Sequence, residues 1–200
     1  LIHIQERKEN IARRRSPISK EMFVAIAHHA CDSDRDSAES VIFDWITLGR
    51  VAGFRVAEYA QTTQNKVDEF EYASGNRVIK AFIPPDWQFY NKKGHLMTVH
   101  SLDGLADPPI KMKMTFRIQK NRQNGQAITL ATEIDRPEIC PVCSVMRLVL
   151  RARRLDQPDD MPLGVYRTKK GKSIYLTGNK IVKLLRKAVK SIRPDTSSED

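Results

Sequence analysis

The sequence lacks any apolar run near the roughly 18 residues that a membrane-spanning helix needs. It also lacks a signal peptide, because the opening stretch LIHIQERKEN is charged almost at once. It does not begin with methionine, so we expect it to be a piece of a longer protein. Only three cysteines occur, Cys31, Cys140 and Cys143, a small odd number that argues against a disulfide framework. These features predict an intracellular protein without a membrane partner.

Acidic residues are scarce beside basic ones. The chain has 24 Asp and Glu against 34 Lys and Arg, a net charge of +10 and a sequence pI of about 9.6. Such a balance predicts a polyanionic partner, with nucleic acid the commonest and anionic membrane the next. The 200 residues, 40% of them hydrophobic, are enough for one good core.

Local patterns predict an α+β fold that is mainly helical, with small antiparallel β-hairpins. Helices are expected after Ser16 or Ser19, after an Asp36–Glu39 capping box, from Pro141 to about residue 154, and after Thr177 or Asn179. Hairpins are expected around Ser74-Gly75-Asn76, after DWQFY, at Asn124-Gly125 and at Gly171. Residues 1–15 are predicted to be a linker or the tail of an earlier element.

The predicted helices at 141–154 and 180–192 each carry a basic stripe opposite an apolar stripe. Further cations lie in the strand region between them, so the basic residues are distributed as in a groove that follows a phosphate backbone. The predicted DNA contacts are Lys113, Arg117, Arg122, Arg147, Arg151, Lys180, Lys183 and Lys187. The alternatives are ordinary solvated faces, or a basic amphipathic helix at 180–192 that lies on a membrane surface.

The cysteine pair in CPVC, residues 140–143, is a lone C-x-x-C motif. A structural zinc site usually has four ligands, and His28 and His29 lie far away in the sequence. We therefore expect a structural role, with Cys143 buried on a helix, and no metal. Metal binding and redox chemistry are the alternatives.

Two short stretches point to a specific chemistry. VAGFRVAEY, residues 51–59, places Arg55 in an apolar run three residues before Glu58, and TFRIQKNRQNGQAITL places Lys120 near the tip of a predicted hairpin. RRRSPIS precedes these stretches, and ICPVCSVMRLVLRARR and YLTGNKIVKLLRKA follow them. In this order they resemble the catalytic domain of tyrosine recombinases, the phage-integrase type, in the form found in eukaryotic mobile elements. The resemblance spans roughly residues 13–193.

The resemblance implies a DNA strand transferase that uses neither a metal nor another cofactor. It implies that Arg55 holds the scissile phosphate, that Lys120 protonates the leaving 5′-oxygen and that Glu58 supports the site. An arginine fork fits two nonbridging phosphate oxygens, and a lysine can donate a proton while neutralising charge. Lys113 and Arg122 are the alternatives to Lys120. The structural alternative for Arg55 is an ordinary ion pair with Glu58.

The resemblance also implies partners and organisation. Double-stranded DNA is the expected partner, in the nucleus if the source is eukaryotic. A full-length family member is expected to form a homotetramer, whereas the present chain is expected to be monomeric. Residues 1–15 then become the tail of a preceding DNA-binding domain or a linker, and residues 16–200 a partial catalytic domain.

The sequence departs from the family pattern at its C-terminal motifs. None of the five histidines is followed by Arg at the third position, and all five tyrosines precede the end of the last predicted helix. We therefore expect a C-terminally truncated or degenerate domain that cannot complete strand cleavage alone. The alternative function is a non-catalytic basic DNA-binding module, a degenerate or domesticated recombinase.

Overall fold

The computed structural model describes residues 18–53, 55–98, 108–118 and 124–193. Within these ranges the chain is a mixed α+β fold with four α-helices and small antiparallel sheets. The helices are α1 (Lys20–Cys31), α2 (Ala38–Ala52), α3 (Pro141–Arg154) and α4 (Gly178–Ile192). The strands are β1 (Glu69–Glu71), β2 (Arg77–Ile79), β3 (Trp87–Tyr90), β4 (Leu96–Met97), β5 (Lys111–Thr115), β6 (Ala127–Ala131), β7 (Val165–Arg167) and β8 (Ser173–Tyr175).

The helix starts follow from side-chain caps. Ser19 Oγ accepts a hydrogen bond from the Met22 backbone N–H at 3.2 Å, and Thr177 caps α4 in the same way. The capping box predicted at Asp36 and Glu39 is wrong. Ser37, one residue later than predicted, is the N-cap of α2, because its hydroxyl rather than the Asp36 carboxylate accepts the free backbone N–H of Ser40.

Antiparallel strand pairs confirm the hairpins predicted around Ser74-Gly75-Asn76, after DWQFY and at Gly171. The two-residue turn predicted at Asn124-Gly125 is wrong, because the Gly125 N–H donates to the Phe116 carbonyl at 2.7 Å and so places this pair at the base of the connection between β5 and β6. β1 pairs with β2, β7 pairs with β8, and a four-stranded sheet has the order β4-β3-β5-β6. In β5 the side chains alternate, so that Met112 and Met114 are buried while Lys111 and Lys113 lie on the other face. β5 and β6 are joined by the segment that contains Lys120, which lies outside the described residues.

The core is organised around α2, which is buried at Ala38 and from Val41 to Leu48. Its Trp45 is 1% exposed and stacks on Tyr59, with ring centroids 5.2 Å apart. Phe82 and Trp87 also contact this ring, so the four-stranded sheet packs directly on the helix. α2 ends at Gly53, whose positive φ of 65° turns the chain out of the helix just before Arg55.

Candidate nucleic-acid interface

Arg55 is exposed and begins a short 3-10 turn at Val56–Glu58. The carboxylate of Glu58 does not hold the guanidinium. Its Oε2 instead accepts the backbone N–H of Arg55 at 2.8 Å. No carboxylate in the described ranges forms an ion pair with the Arg55 side chain. The backbone of Arg55 is therefore fixed while its guanidinium remains available to a ligand.

The segment after Arg55 forms backbone hydrogen bonds with two other segments of the fold. The Glu58 carbonyl accepts the Phe82 N–H at 2.8 Å, and the Gln61 N–H donates to the Leu176 carbonyl at 2.8 Å. Gly164 allows a close approach of the backbone here, because a Cβ at that position would lie 2.3 Å from the Tyr59 carbonyl oxygen. This packing keeps the Arg55 turn in one position relative to the sheet.

The base of the β5–β6 hairpin is attached to the same region. The rings of Phe116 and Phe82 lie 5.7 Å apart, and Arg117 Nη2 donates to the Ala81 carbonyl at 2.6 Å. The Ala81–Phe82 segment thus connects the Arg55 turn to the base of the connection between β5 and β6. Lys120 and Arg122 themselves lie outside the described residues.

Arg117 has a structural partner. Its Nε lies 2.5 Å from Oδ1 of Asp86, whose side chain is only 2% exposed. Burial raises the pKa of Asp86, while the Ile83 N–H and Arg117 oppose that rise. Since Arg117 compensates this buried carboxyl group and is itself 27% exposed, its guanidinium is largely committed inside the fold.

Arg151 contradicts the predicted surface stripe on α3. It is 1% exposed and donates to Asp44 Oδ2 at 3.0 Å, to the Arg35 carbonyl at 2.8 Å and to Ser40 Oγ at 2.8 Å. The prediction that Arg151 contacts DNA is therefore wrong, because its charge is enclosed between α3 and α2. Burial lowers the pKa of Arg151, and the Asp44 carboxylate opposes that effect.

The other arginines of the stripe are also paired. Arg147 is 35% exposed and donates from Nε to Asp44 Oδ1 at 2.7 Å. Arg154 donates to Asp36 Oδ1 at 2.6 Å. The predicted spacing is correct, yet the stripe packs against acidic residues of α2 and of the loop before it. Arg147 therefore contributes less free positive charge than the sequence suggested.

Lys113 and the outer face of α4 keep their predicted exposure more fully. Lys113 is half-buried on the face of β5 opposite Met112 and Met114. In α4, Ile181, Leu184 and Ala188 are buried, whereas Lys183 and Lys187 are exposed on the opposite side. Lys180 is partly covered, with its Nζ 3.6 Å from Glu39 Oε1.

The β7–β8 hairpin adds cations that the predicted contact set omitted. Arg167, Lys169, Lys170 and Lys172 are all exposed there, and Arg186 adds another exposed cation on α4. The signal in the sequence was RTKKGK, four basic residues within six positions around a predicted turn. Such a density of charge at a turn predicts an anion-binding surface, so the hairpin belongs with the predicted DNA contacts.

The prediction that Cys143 is buried on its helix is wrong: Cys143 is half-buried on α3, and Cys140, at the start of the helix, is the buried member of the pair. Cys140 is buried, and its Sγ accepts the Glu133 N–H at 3.2 Å. Burial, reinforced by the neighbouring Cys140, raises the pKa of Cys143 to about 12. Among the described residues no group of His, Cys, Asp or Glu is arranged to hold a metal ion.

We expect iodoacetamide at pH 8 to alkylate Cys31 and to leave Cys143 unmodified in the folded protein. Cys31 is exposed, whereas the raised pKa keeps Cys143 in the unreactive thiol form. Peptide mass spectrometry before and after unfolding measures both sites. Rapid labelling of Cys143 in the folded protein would contradict the structural role.

Three of the described tyrosines are poorly suited to act as a nucleophile. Burial raises the pKa of Tyr59, which packs on Trp45, and also that of Tyr166 and Tyr175. A raised pKa disfavours the phenolate form that attacks phosphorus. Tyr59 lies near Arg55 in sequence, but its ring faces the core.

No helix in the described ranges is both long and apolar enough to cross a bilayer. Neither a protein-family model, nor a curated protein, nor a solved structure matches this chain.

Proposed function

We propose that this chain is part of the catalytic domain of a tyrosine-recombinase-type DNA strand transferase from a mobile element. The observation that carries the proposal is the state of Arg55. This arginine is exposed, its backbone is held by Glu58, and no described carboxylate is paired with it. An unpaired guanidinium on a rigid turn is suited to a phosphate, because the fork needs no reorganisation to meet two oxygens.

The proposed chemistry uses three groups of this chain. Arg55 binds the two nonbridging oxygens of the scissile phosphate, and Glu58 positions Arg55 through the backbone. A tyrosine oxygen forms the new bond to phosphorus while the bond to the 5′-oxygen breaks, and Lys120 supplies the proton to that oxygen. The Ala81–Phe82 segment supports this arrangement, since it contacts both the Arg55 turn and the base of the Lys120 hairpin.

The remaining catalytic groups are proposed to follow α4 in a longer protein. A recombinase of this type needs a His-x-x-Arg motif and a nucleophilic tyrosine, and the five histidines and five tyrosines of residues 1–200 do not supply them in that order. The coding sequence past Asp200 tests this directly. We expect both motifs in frame. If they are absent there, the alternative of a non-catalytic DNA-binding module is favoured.

The proposed partner is double-stranded DNA, in the nucleus if the source is eukaryotic, and a full-length protein would act as a homotetramer. Lys183 and Lys187 are the described predicted contacts that are exposed to a phosphate backbone, and Lys113 is half-buried on β5. Lys180 forms an ion pair with Glu39, and Arg147 and Arg117 form ion pairs with the buried carboxylates of Asp44 and Asp86.

We expect duplex binding by the 200-residue chain to weaken steeply with salt. With about five phosphate contacts the log–log slope would be about −4.5, a roughly 10²–10³-fold loss of affinity between about 50 and 200 mM salt. Fluorescence anisotropy of a labelled duplex measures this. A flat salt response would reject DNA binding, whether catalytic or not.

A further inference from the structure

The tip of the β7–β8 hairpin concentrates positive charge outside the proposed catalytic site. Arg167, Lys169, Lys170 and Lys172 are exposed, and none is paired with a carboxylate of the described ranges. Four unpaired cations so close together repel one another, which costs free energy unless an anion binds there.

The hairpin backbone presents these cations in a fixed geometry. The Thr168 N–H donates to the Lys172 carbonyl and the Gly171 N–H to the Thr168 carbonyl, both at 2.8 Å. Thr168 Oγ1 accepts the Lys172 N–H at 3.1 Å, and Gly171 has the positive φ of 79° that closes the turn. The backbone that carries these lysines is therefore an ordered, hydrogen-bonded turn.

The base of the hairpin is anchored in the domain. Tyr166 and Ile174 are buried, and the Arg167 N–H donates to the Asp36 carbonyl at 2.8 Å. On the other strand the Tyr175 N–H donates to the Gln64 carbonyl at 3.0 Å. A ligand that binds the tip would thus be held rigidly against the whole domain.

The positive surface continues from the hairpin onto α4. Lys180 Nζ lies 6.0 Å from the centroid of the Tyr166 ring, which links the first turn of α4 to β7. Lys183 and Lys187 follow at helical spacing and are exposed. With a rise of about 1.5 Å per residue, Lys180 to Lys187 covers about 10 Å, which is longer than the spacing of phosphates along one strand.

Four carboxylates, Asp32, Asp34, Asp36 and Glu39, line one cavity with Arg167 and Lys169, but none of them forms an ion pair with these two cations in the described ranges. Glu39 is paired with Lys180 at 3.6 Å, and Asp36 is paired with Arg154 at 2.6 Å. Asp34 Oδ1 accepts the Asp36 backbone N–H at 2.7 Å. Glu39 and Asp36 are thus compensated by cations outside the hairpin, whereas Asp34 keeps its charge; Lys170 and Lys172 do not line this cavity.

We infer that the hairpin tip and the outer face of α4 form one surface that binds the backbone of duplex DNA without reading its sequence. We name it the cationic ribbon and define it as Arg167, Lys169, Lys170, Lys172, Lys183 and Lys187. The ribbon rests on the proposed function in taking DNA as the partner. A membrane fits less well, because the apolar side of α4 is buried in the core and cannot insert into lipid.

The test compares K169Q/K170Q with K92Q/K93Q. The turn between β3 and β4 is a close match for the tip: Lys92 and Lys93 are exposed, Gly94 has a φ of 77°, and the Asn91 N–H donates to the His95 carbonyl at 3.0 Å. Both variants therefore remove two lysines that precede a turn glycine. Thermal unfolding should show that each retains the wild-type fold.

We expect K169Q/K170Q to reduce the magnitude of the salt slope for duplex binding by about 1.8, since each phosphate contact contributes about 0.9. K92Q/K93Q should leave the slope unchanged. Equal slopes for the two variants, with wild-type binding intact, would overturn the ribbon alone. Absence of wild-type duplex binding would overturn the proposed function and the ribbon together. Wild-type binding to phosphatidylserine vesicles that persists in excess duplex would also overturn the ribbon.

Discussion

Replacing Arg55 by Ala is expected to reduce DNA cleavage by about 10²–10³-fold, as removal of one preorganised donor to a developing charge does elsewhere. The substitution is made in the protein that carries residues 1–200 together with the downstream motifs. Arg55 would contact the phosphate most strongly in the transition state, so its loss should lower the rate more than the affinity. Single-turnover formation of the phosphotyrosyl adduct on a suicide duplex measures the rate.

Two variants separate catalysis from binding. R55K retains the positive charge but loses the guanidinium's two parallel N–H donors. We therefore expect its cleavage rate to lie between the rates of R55A and the wild type. K183A removes an exposed cation of α4 and should weaken binding, most strongly at low salt, while leaving the rate at saturating DNA unchanged. If R55A and K183A have the same modest effect on binding and none on the saturated rate, Arg55 is not catalytic.

The Asp44→Asn substitution is expected to destabilise the fold by about 3–5 kcal/mol, because it leaves the buried Arg151 without its counter-charge. Asp44 and Arg151 side chains are each 1% exposed, and the same carboxylate also accepts from Arg147 at 2.7 Å. Asparagine has nearly the same volume, so the change isolates the charge. The free energy of unfolding in urea measures the loss.

Glu71→Gln is the matched control, because it breaks the exposed pair between Glu71 and Arg77, whose side chains are 57% and 64% exposed. A surface pair of this kind contributes only about 0–1 kcal/mol. Adding R151M to D44N should restore part of the stability, since the uncompensated charge is then removed. A loss below about 1 kcal/mol in D44N would show that Asp44 does not compensate a buried charge.

The sequence predicted the secondary structure well where the signals were local. Ser19 and Thr177 mark helix starts because a hydroxyl accepts the free N–H groups of the first turn. Gly75 and Gly171 mark hairpin turns because glycine accepts a positive φ. These interactions join residues only a few positions apart, so they can be predicted from the sequence.

The arginines show where such reading fails. On α3 the spacing of Arg147, Arg151 and Arg154 identified one stripe, yet periodicity alone does not say what packs against a stripe. Asp44 and Asp36 are more than a hundred positions away in the sequence and decide the burial of that stripe. The same holds for Arg117, whose partner Asp86 lies 31 residues before it.

The excess of positive charge, the order of the helices and the starts of α1, α3 and α4 could all be predicted from the sequence, because composition and signals within a few residues set them. Tertiary packing determines which cations are free, because ion pairs such as Arg151 with Asp44 form between segments that meet only on folding. It also decided that Glu58 binds the backbone rather than the guanidinium of Arg55. An arginine becomes available to a phosphate only when the packing around it supplies no carboxylate, and that is a property of the fold.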